Sequence, residues 1–241
     1  MNTSTPSRDA PRSANDPPSE SSKARRNARR AAAKTQHKYA ADLFAAIRDG
    51  NAADVIRLAP LVDDLDSHLD KTHNERPLML AARYDMPVAG FQALLARSNP
   101  RLTNADGVTA LMLAAWGTRP HSVDLTRLLL PRSDPLALTD PLPLSDPLAI
   151  FGANSALCYA IRAYCNDQHS TDAISLLLPV SNLAQRDMEG HDSLDQARLA
   201  NSDVVVELIL GEMARREALA LAAEISTAPG LSEARNASPR L

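Results

Sequence analysis

The sequence predicts an all-α chain in which about five helical hairpins stack side by side. A phrase made of a turn residue, a helix start, a leucine and a pair of alanines is clearest at 107–115, and a related phrase stands about 33 residues earlier at 74–82. A leucine-rich segment follows each phrase, and aromatic residues make up only 3% of the chain. One hairpin cannot bury its own apolar face, whereas stacked neighbours can, so a repeat of this length favours a solenoid.

Each position of the phrase has a physical reason. Gly107 is expected to supply the positive φ of a tight turn, and Thr109 to cap the following helix by accepting from its free N–H groups. In the preceding unit Pro77 takes the first helical position, where a missing N–H has no consequence. The leucine of each phrase is expected to enter the core, and burial of such a side chain contributes about 1.5–3 kcal/mol. These anchor leucines are Leu43, Leu78, Leu111, Leu157 and Leu194.

The second helix of each unit is predicted from large aliphatic residues. The runs lie at 94–95, 128–130, 176–178 and 208–210. In the first unit, Asp42 is expected to cap the helix that carries Leu43, and Gly50 to end that helix.

The 107–115 phrase, Gly-Val-Thr-Ala-Leu-Met-Leu-Ala-Ala, resembles the Gly-x-Thr-Pro-Leu-His-x-Ala-Ala signature of the ankyrin repeat. The resemblance is good at 74–82, looser at 154–161 and 190–197, and covers about 42–225. It implies an ankyrin-repeat α-solenoid with finger-like turns, which serves as a non-enzymatic protein-binding scaffold. Joints of the form Leu-Leu-Leu-Pro-x-Ser resemble those of bacterial ankyrin proteins, so a bacterial effector delivered into a host cell is compatible with the sequence.

Three parts of the chain are expected from composition and repeats. They are a disordered basic arm at 1–40, a repeat domain at 41–225 and a disordered tail at 226–241. Within the domain, the repeats are expected at 42–70, 71–104, 105–133, 152–185 and 187–211, with a capping helix at 212–225. An insertion at 134–151, in which Asp-Pro-Leu recurs every six residues, lengthens the turn between the third and fourth units. It serves either as an enlarged contact arm or as a tolerated loop duplication.

Charge is divided unevenly along the chain. Residues 1–40 hold 9 Lys and Arg against 3 Asp and Glu, whereas the remaining residues hold 17 against 26. Six of the cations lie within 23–34, among good helix formers. This segment is either a nuclear-import or nucleic-acid-binding patch, which would make the protein a nucleic-acid-associated factor, or a solvated helix that leads into the first repeat.

Several classes of protein are not favoured. The sequence has no apolar run long enough for a membrane span and no ordinary secretory signal, and its two cysteines suggest a reducing compartment. We therefore expect a cytoplasmic or intracellular monomer, unless the chain is exported into a host. Cys158, Cys165 and His169 lack a fourth metal ligand, so no metal, cofactor or catalytic group is predicted.

The resemblance implies that partners are held on the concave side of the stack, by finger tips and by first-helix positions just past the alanine pair. The position five residues after each anchor leucine is held by Arg48, Arg83, Trp116, Arg162 and Leu199, and Tyr84 follows Arg83. The finger-tip candidates are Glu75, Asp106, Val108, Glu189 and His191. A row of arginines around the only tryptophan is suited to an acidic peptide or loop. Alternatively, Trp116 packs between helices and the arginines only keep the surface soluble.

Overall fold

A computed structural model describes residues 20–67, 74–117, 119–140, 153–167 and 170–227. Within these ranges the regular structure consists of ten α-helices, two 3₁₀ turns and no β-strand, which confirms the all-α class. The helices are α1 (Glu20–Arg48), α2 (Ala52–Leu58), α3 (Pro77–Arg83), α4 (Val88–Leu95), α5 (Ala110–Trp116), α6 (Ser122–Leu129), α7 (Ala156–Asp167), α8 (Asp172–Leu177), α9 (Ser193–Leu199) and α10 (Asp203–Thr227). The 3₁₀ turns, Ala59–Leu61 and Leu178–Val180, extend α2 and α8.

The helices pack in two rows. In the first row α1, α3, α5, α7 and α9 each contact the next, and in the second row α2, α4, α6 and α8 do the same. Contacts between α1 and α2, α3 and α4, α5 and α6, and α7 and α8 join the rows into hairpins. The helix α10 contacts α9 and the 3₁₀ turn after α8, so it closes the end of the stack.

The anchor leucines lie in the shared core, as the repeat predicts. Leu43, Leu111 and Leu157 are fully buried and Leu78 is 3% exposed. Leu194 is only partly buried, contrary to the expectation. The main contacts of α9, the last helix of the first row, are with α7 and α10. At the other end of the row, α1 also packs on the 3₁₀ turn after α2, and its anchor Leu43 is covered.

Backbone conformation repeats with the anchors. Four residues before an anchor leucine, the chain takes a positive φ at Asn74, Gly107, Ala153 and Gly190. Seven residues after an anchor, a second positive φ occurs at Gly50, Asp85 and Asn201. Four units therefore share a turn before the first helix, and three units, the first among them, share a left-handed residue that ends it.

The start of α5 shows why the phrase folds as predicted. Gly107 has φ +73°, and a side chain there would meet the backbone N of Asp140 at 2.6 Å. Thr109 caps α5, because its hydroxyl accepts from the backbone N of Met112 at 3.2 Å. Pro77 holds the first position of α3, also as expected.

The two ends of the chain differ from the expected division. Residues 1–40 were expected to be a disordered arm, with a solvated helix at 23–34 as one alternative. Residues 20–40 belong to α1, which agrees with that alternative and continues through Asp42 to Arg48. Asp42 therefore lies inside the helix and caps nothing. No Gly or Pro interrupts 20–48, and Ala, Arg and Lys favour helix, so the helix continues N-terminal to the first anchor.

At the other end, the segment before Gly211 and the expected capping helix form one helix, α10. Gly211 does not end it, since this residue keeps a helical φ and faces open space. Residues 226–227, expected in a disordered tail, also belong to α10. The rest of that tail, residues 1–19 and most of the insertion, 141–151, lie outside the described residues.

Candidate partner-binding surface

The predicted row lies at one end of the first-row helices. Arg48, Arg83, Trp116 and Leu199 are the last residues of α1, α3, α5 and α9. Arg162 lies in the longer α7, which contacts α5. The consecutive packing of these helices places the five positions along one edge of the stack.

Trp116 contacts a residue that the sequence interpretation missed. Its ring meets the ring of Tyr159 edge-on, with centroids 5.6 Å apart and an angle of 72° between the planes. Such a pair contributes about 0.5–1.5 kcal/mol beyond burial. Trp116 nevertheless stays 41% exposed, so the ring is oriented by α7 and still faces solvent.

Tyr159 could have been found by comparing equivalent positions. It stands two residues after its anchor Leu157, where the second and third units carry Leu80 and Leu113. A tyrosine where the two better-matched units carry leucine is a departure from the repeat, and the first and fifth units carry Ala45 and Gln196 there. Burial raises the pKa of Tyr159, against the opposing effect of the nearby Arg162 and Arg83 guanidinium groups. We call Arg83, Trp116, Tyr159 and Arg162 the arginine–tryptophan ridge.

Arg83 is held by a buried carboxylate. Its Nε donates to Oε1 and Oε2 of Glu75 at 3.0 and 2.9 Å, and its Nη2 also donates to Oε1. The Glu75 side chain is 1% exposed, whereas that of Arg83 is 42% exposed. Hydrogen bonding to Glu75 raises the pKa of Arg83. The sequence interpretation expected Glu75 to be an accessible finger-tip residue, and this is wrong. Glu75 is instead the group that orients Arg83, since a buried charge requires a partner.

Arg162 connects α7 to the turn before α9. Its Nη2 lies 3.9 Å from Oδ2 of Asp187, and the two side chains are 19% and 5% exposed. Burial lowers the pKa of Arg162, with Asp187 among the groups that act in the opposite direction. The Asp187 carboxylate also accepts from the backbone N of Glu189 at 3.0 Å and of His191 at 2.9 Å. Arg162 is therefore less accessible than Arg83. Its guanidinium lies beside the Asp187 carboxylate, which holds the turn.

The other predicted finger-tip residues differ in exposure. Val108 follows the turn glycine into the stack and is buried, at 8% exposure. It is therefore a core residue, and its prediction as a contact residue is wrong. Asp106 is half-buried and Glu189 is exposed. His191 is partly exposed, and its Nδ1 lies 3.3 Å from Oε2 of Glu189.

Three further predicted residues flank the ridge. Tyr84 is half-buried directly after α3. Arg48 is exposed at the end of α1, and its Nε donates to Oδ1 of Asp49 at 3.0 Å. Leu199, at 65% exposure, extends the row by an apolar side chain at the end of α9.

A depression of about 260 Å³ lies beside Trp116. Leu113 and Trp116 line it with apolar side chains, and its polar lining residues are Arg83, Arg119, Asn166 and Asp85. The Asp85 carboxylate accepts from the backbone N of His121, so two arginines face one carboxylate that already has a partner. Such a depression can accept a side chain that combines an apolar body with an acidic end.

The residues weighed as metal ligands or nucleophiles are placed in part. They contain no group of three or more His, Cys, Asp and Glu side chains able to hold a metal ion. Burial raises the pKa of Cys165, which lowers the thiolate fraction at neutral pH. His169, weighed with the cysteines as a metal ligand, lies outside the described residues.

In comparisons with known proteins, no protein-family model and no curated protein matches this chain. None of the described helices combines the length and the apolar character needed to cross a bilayer.

Proposed function

We propose that the chain is a non-enzymatic scaffold of ankyrin-like repeats that binds a partner protein on the side formed by its first-row helices. The repeat interpretation is supported by the positive-φ residues at a constant distance from the anchor leucines. It is also supported by the alternation of first-row and second-row packing. This architecture has many roles, so the function must be argued from the surface itself.

The observation that carries the proposal is the exposure of Trp116 between two arginines on neighbouring helices. A tryptophan that is 41% exposed yet held edge-on by Tyr159 is oriented before any partner arrives. Arg83 is likewise held by Glu75 while part of its guanidinium faces solvent. Binding to groups already in place avoids part of the ordering cost of association, and Trp, Tyr and Arg are the residue types that contribute most at interfaces.

The partner best suited to this surface is an acidic peptide or loop. Its carboxylate would accept from Arg83 at the edge of the depression, while an apolar side chain covers the Trp116 ring. Glu75 already occupies part of the Arg83 donor fork, so we expect one carboxylate at this position rather than a densely charged segment.

The test is capture of partners by the intact chain, its Trp116→Ala variant and its Ile56→Ala variant. Ile56 is a matched control, because it is 46% exposed and lies on α2 in the second row. We expect a partner that is retained by Ile56→Ala and lost with Trp116→Ala, at unchanged helical content. A partner set identical for all three proteins would contradict the proposal.

A further inference from the structure

The N-terminal overhang of α1, residues 20–35, is a surface separate from the arginine–tryptophan ridge. All residues from 23 to 35 are exposed, and Gln36 is the first that is partly buried. The Oε1 of Gln36 accepts from the backbone N of Asp63 at 3.2 Å, which marks where α1 joins the stack. At a rise of 1.5 Å per residue, about 24 Å of helix extends beyond this point.

The overhang and its base are strongly cationic. Seven basic residues follow Glu20, and no carboxylate occurs before Asp42. These residues are Lys23, Arg25, Arg26, Arg29, Arg30, Lys34 and Lys38. None of them forms an ion pair with any other residue in the part of the chain that the structure describes. Their charges are therefore available to an external anion.

The angular positions of these residues restrict the kind of anion. At 3.6 residues per turn, the cations cover roughly 220° of the helix circumference. The remaining sector is formed mainly by Ala24, Ala28, Ala31 and Ala32. Helices that lie in a membrane surface bury Leu, Phe or Trp, and alanine provides little apolar area for that purpose. The arrangement favours a polyanion that surrounds the helix over a flat lipid surface.

We propose that the overhang of α1 binds duplex DNA by lying in the major groove and contacting the phosphates on both sides. An α-helix of about 10–12 Å diameter fits the ~12 Å major groove of B-DNA, whereas the corresponding groove of A-form RNA is deep and narrow. Single strands are bound largely by stacking on aromatic rings, and the overhang, residues 20–35, contains none. Four of the seven cations are arginines, whose forked donors suit phosphate oxygens.

The rest of the chain limits the contact to this helix. Residues 41–241 hold 17 Lys and Arg against 26 Asp and Glu, so the acidic body is repelled by the same DNA. Contacts that go mainly to phosphates carry little sequence information, so we expect weak discrimination between sequences. Neutralisation of five to seven phosphates corresponds to a slope of about −4.5 to −6 for log K against log salt.

The experiment is fluorescence anisotropy of the full chain with a mixed-sequence DNA duplex of about two helical turns, from about 50 to 200 mM salt. The variant Arg25→Gln/Arg26→Gln/Arg29→Gln/Arg30→Gln removes four charges with a residue of similar helix propensity. The control Arg57→Gln/Arg127→Gln/Arg132→Gln/Arg198→Gln removes four exposed charges from the body. The two variants have the same net charge. The control also breaks the exposed pairs of Arg57, Arg127 and Arg198 with neighbouring aspartates on their own helices, and such pairs contribute little to stability.

We expect the α1 variant to bind DNA at least about tenfold more weakly than the native chain. The slope of log K against log salt should decrease in magnitude by about 3–4, while the control keeps the native slope. If the fourfold variant loses helix by circular dichroism, Arg26→Gln/Arg30→Gln is used, with an expected slope change of about 2. Equal losses in the α1 variant and the control, absence of DNA binding by the native chain, or binding only to phosphatidylserine vesicles would each overturn the proposal.

Discussion

The Nε of Arg83 donates to Oε2 of Glu75 at 2.9 Å, and this contact joins the exposed end of α3 to a carboxylate that is 1% exposed. The bond fixes the direction of a guanidinium on the proposed binding surface. Arg83 therefore compensates the charge of the buried Glu75 and is also a residue of the proposed binding surface.

Removal of Arg83 is expected to destabilise the fold. Arg83→Ala leaves the Glu75 carboxylate buried without its partner, and we expect a loss of about 2 kcal/mol in the free energy of unfolding. This lies below the 3–5 kcal/mol of fully buried pairs, since Arg83 is half solvated. Urea unfolding of the native chain and of Arg83→Ala measures this loss. The control is Arg127→Ala, whose exposed pair with Asp124 should contribute less than about 1 kcal/mol. Equal losses for both variants would show that the Glu75 pair has no special role.

A side chain at Gly107 is expected to be more disruptive than one at Gly190. Both residues have positive φ, but a Cβ at 107 would lie 2.6 Å from the backbone N of Asp140, whereas one at 190 would meet nothing within 4 Å. Gly190→Ala should therefore lower the free energy of unfolding by about 1 kcal/mol, from backbone strain alone. Gly107→Ala should lower it by about 1–3 kcal/mol more, because its Cβ also clashes. Thermal unfolding of the two variants compares them directly. A similar loss in both would mean that the turn does not pack on the segment after α6.

The brace between α10 and the end of α8 is expected to weaken in acid. Hydrogen bonds from Arg215 and Arg216 lower the pKa of Glu212 to about 2 from its ordinary 4.5. Arg216 also donates to the carbonyl oxygen of Ser181 at 3.0 Å. The folded state holds the proton less tightly than the unfolded chain, so this stabilisation is complete above about pH 4.5 and is lost as the pH falls towards 2.

The measurement is the urea midpoint at about pH 6 and about pH 3. Glu212→Gln should lower the midpoint at pH 6 and show a smaller further decrease at pH 3 than the native chain. Glu207→Gln, an exposed position on the same helix, is the control and should retain the native pH dependence. If Glu212→Gln and the native chain lose stability in parallel, the brace is not the titrating element.

Local signals in the sequence were sufficient for part of the fold. Gly107, Thr109 and Pro77 act within one turn and helix start, so their roles follow from residue type and position. The anchor leucines follow from periodicity, and only Leu194 deviates, because burial at the end of a stack depends on which neighbours are present.

Features that depend on contacts between units could not be predicted in the same way. Glu75 looks like a turn residue, and its burial appears only when Arg83 is placed above it. The contact of Tyr159 with Trp116 joins α7 to α5 across the insertion, whose length hides the spacing of the third and fourth units. A helix at 23–34 that leads into the first repeat was one of two interpretations, and α1 contains it. Its full extent was missed because a composition rich in charge suggested disorder, whereas the absence of Gly and Pro permits a helix.

The chain's single tryptophan allows a direct test of the proposed binding surface. The protein is labelled with 5-fluorotryptophan, which gives one ¹⁹F resonance, and is titrated with a purified captured partner. If the partner covers Trp116, which is 41% exposed, the resonance should shift or broaden in step with binding, and Arg83→Lys should weaken that binding. A resonance that stays unchanged at saturating partner would contradict the account, because the partner would then bind elsewhere.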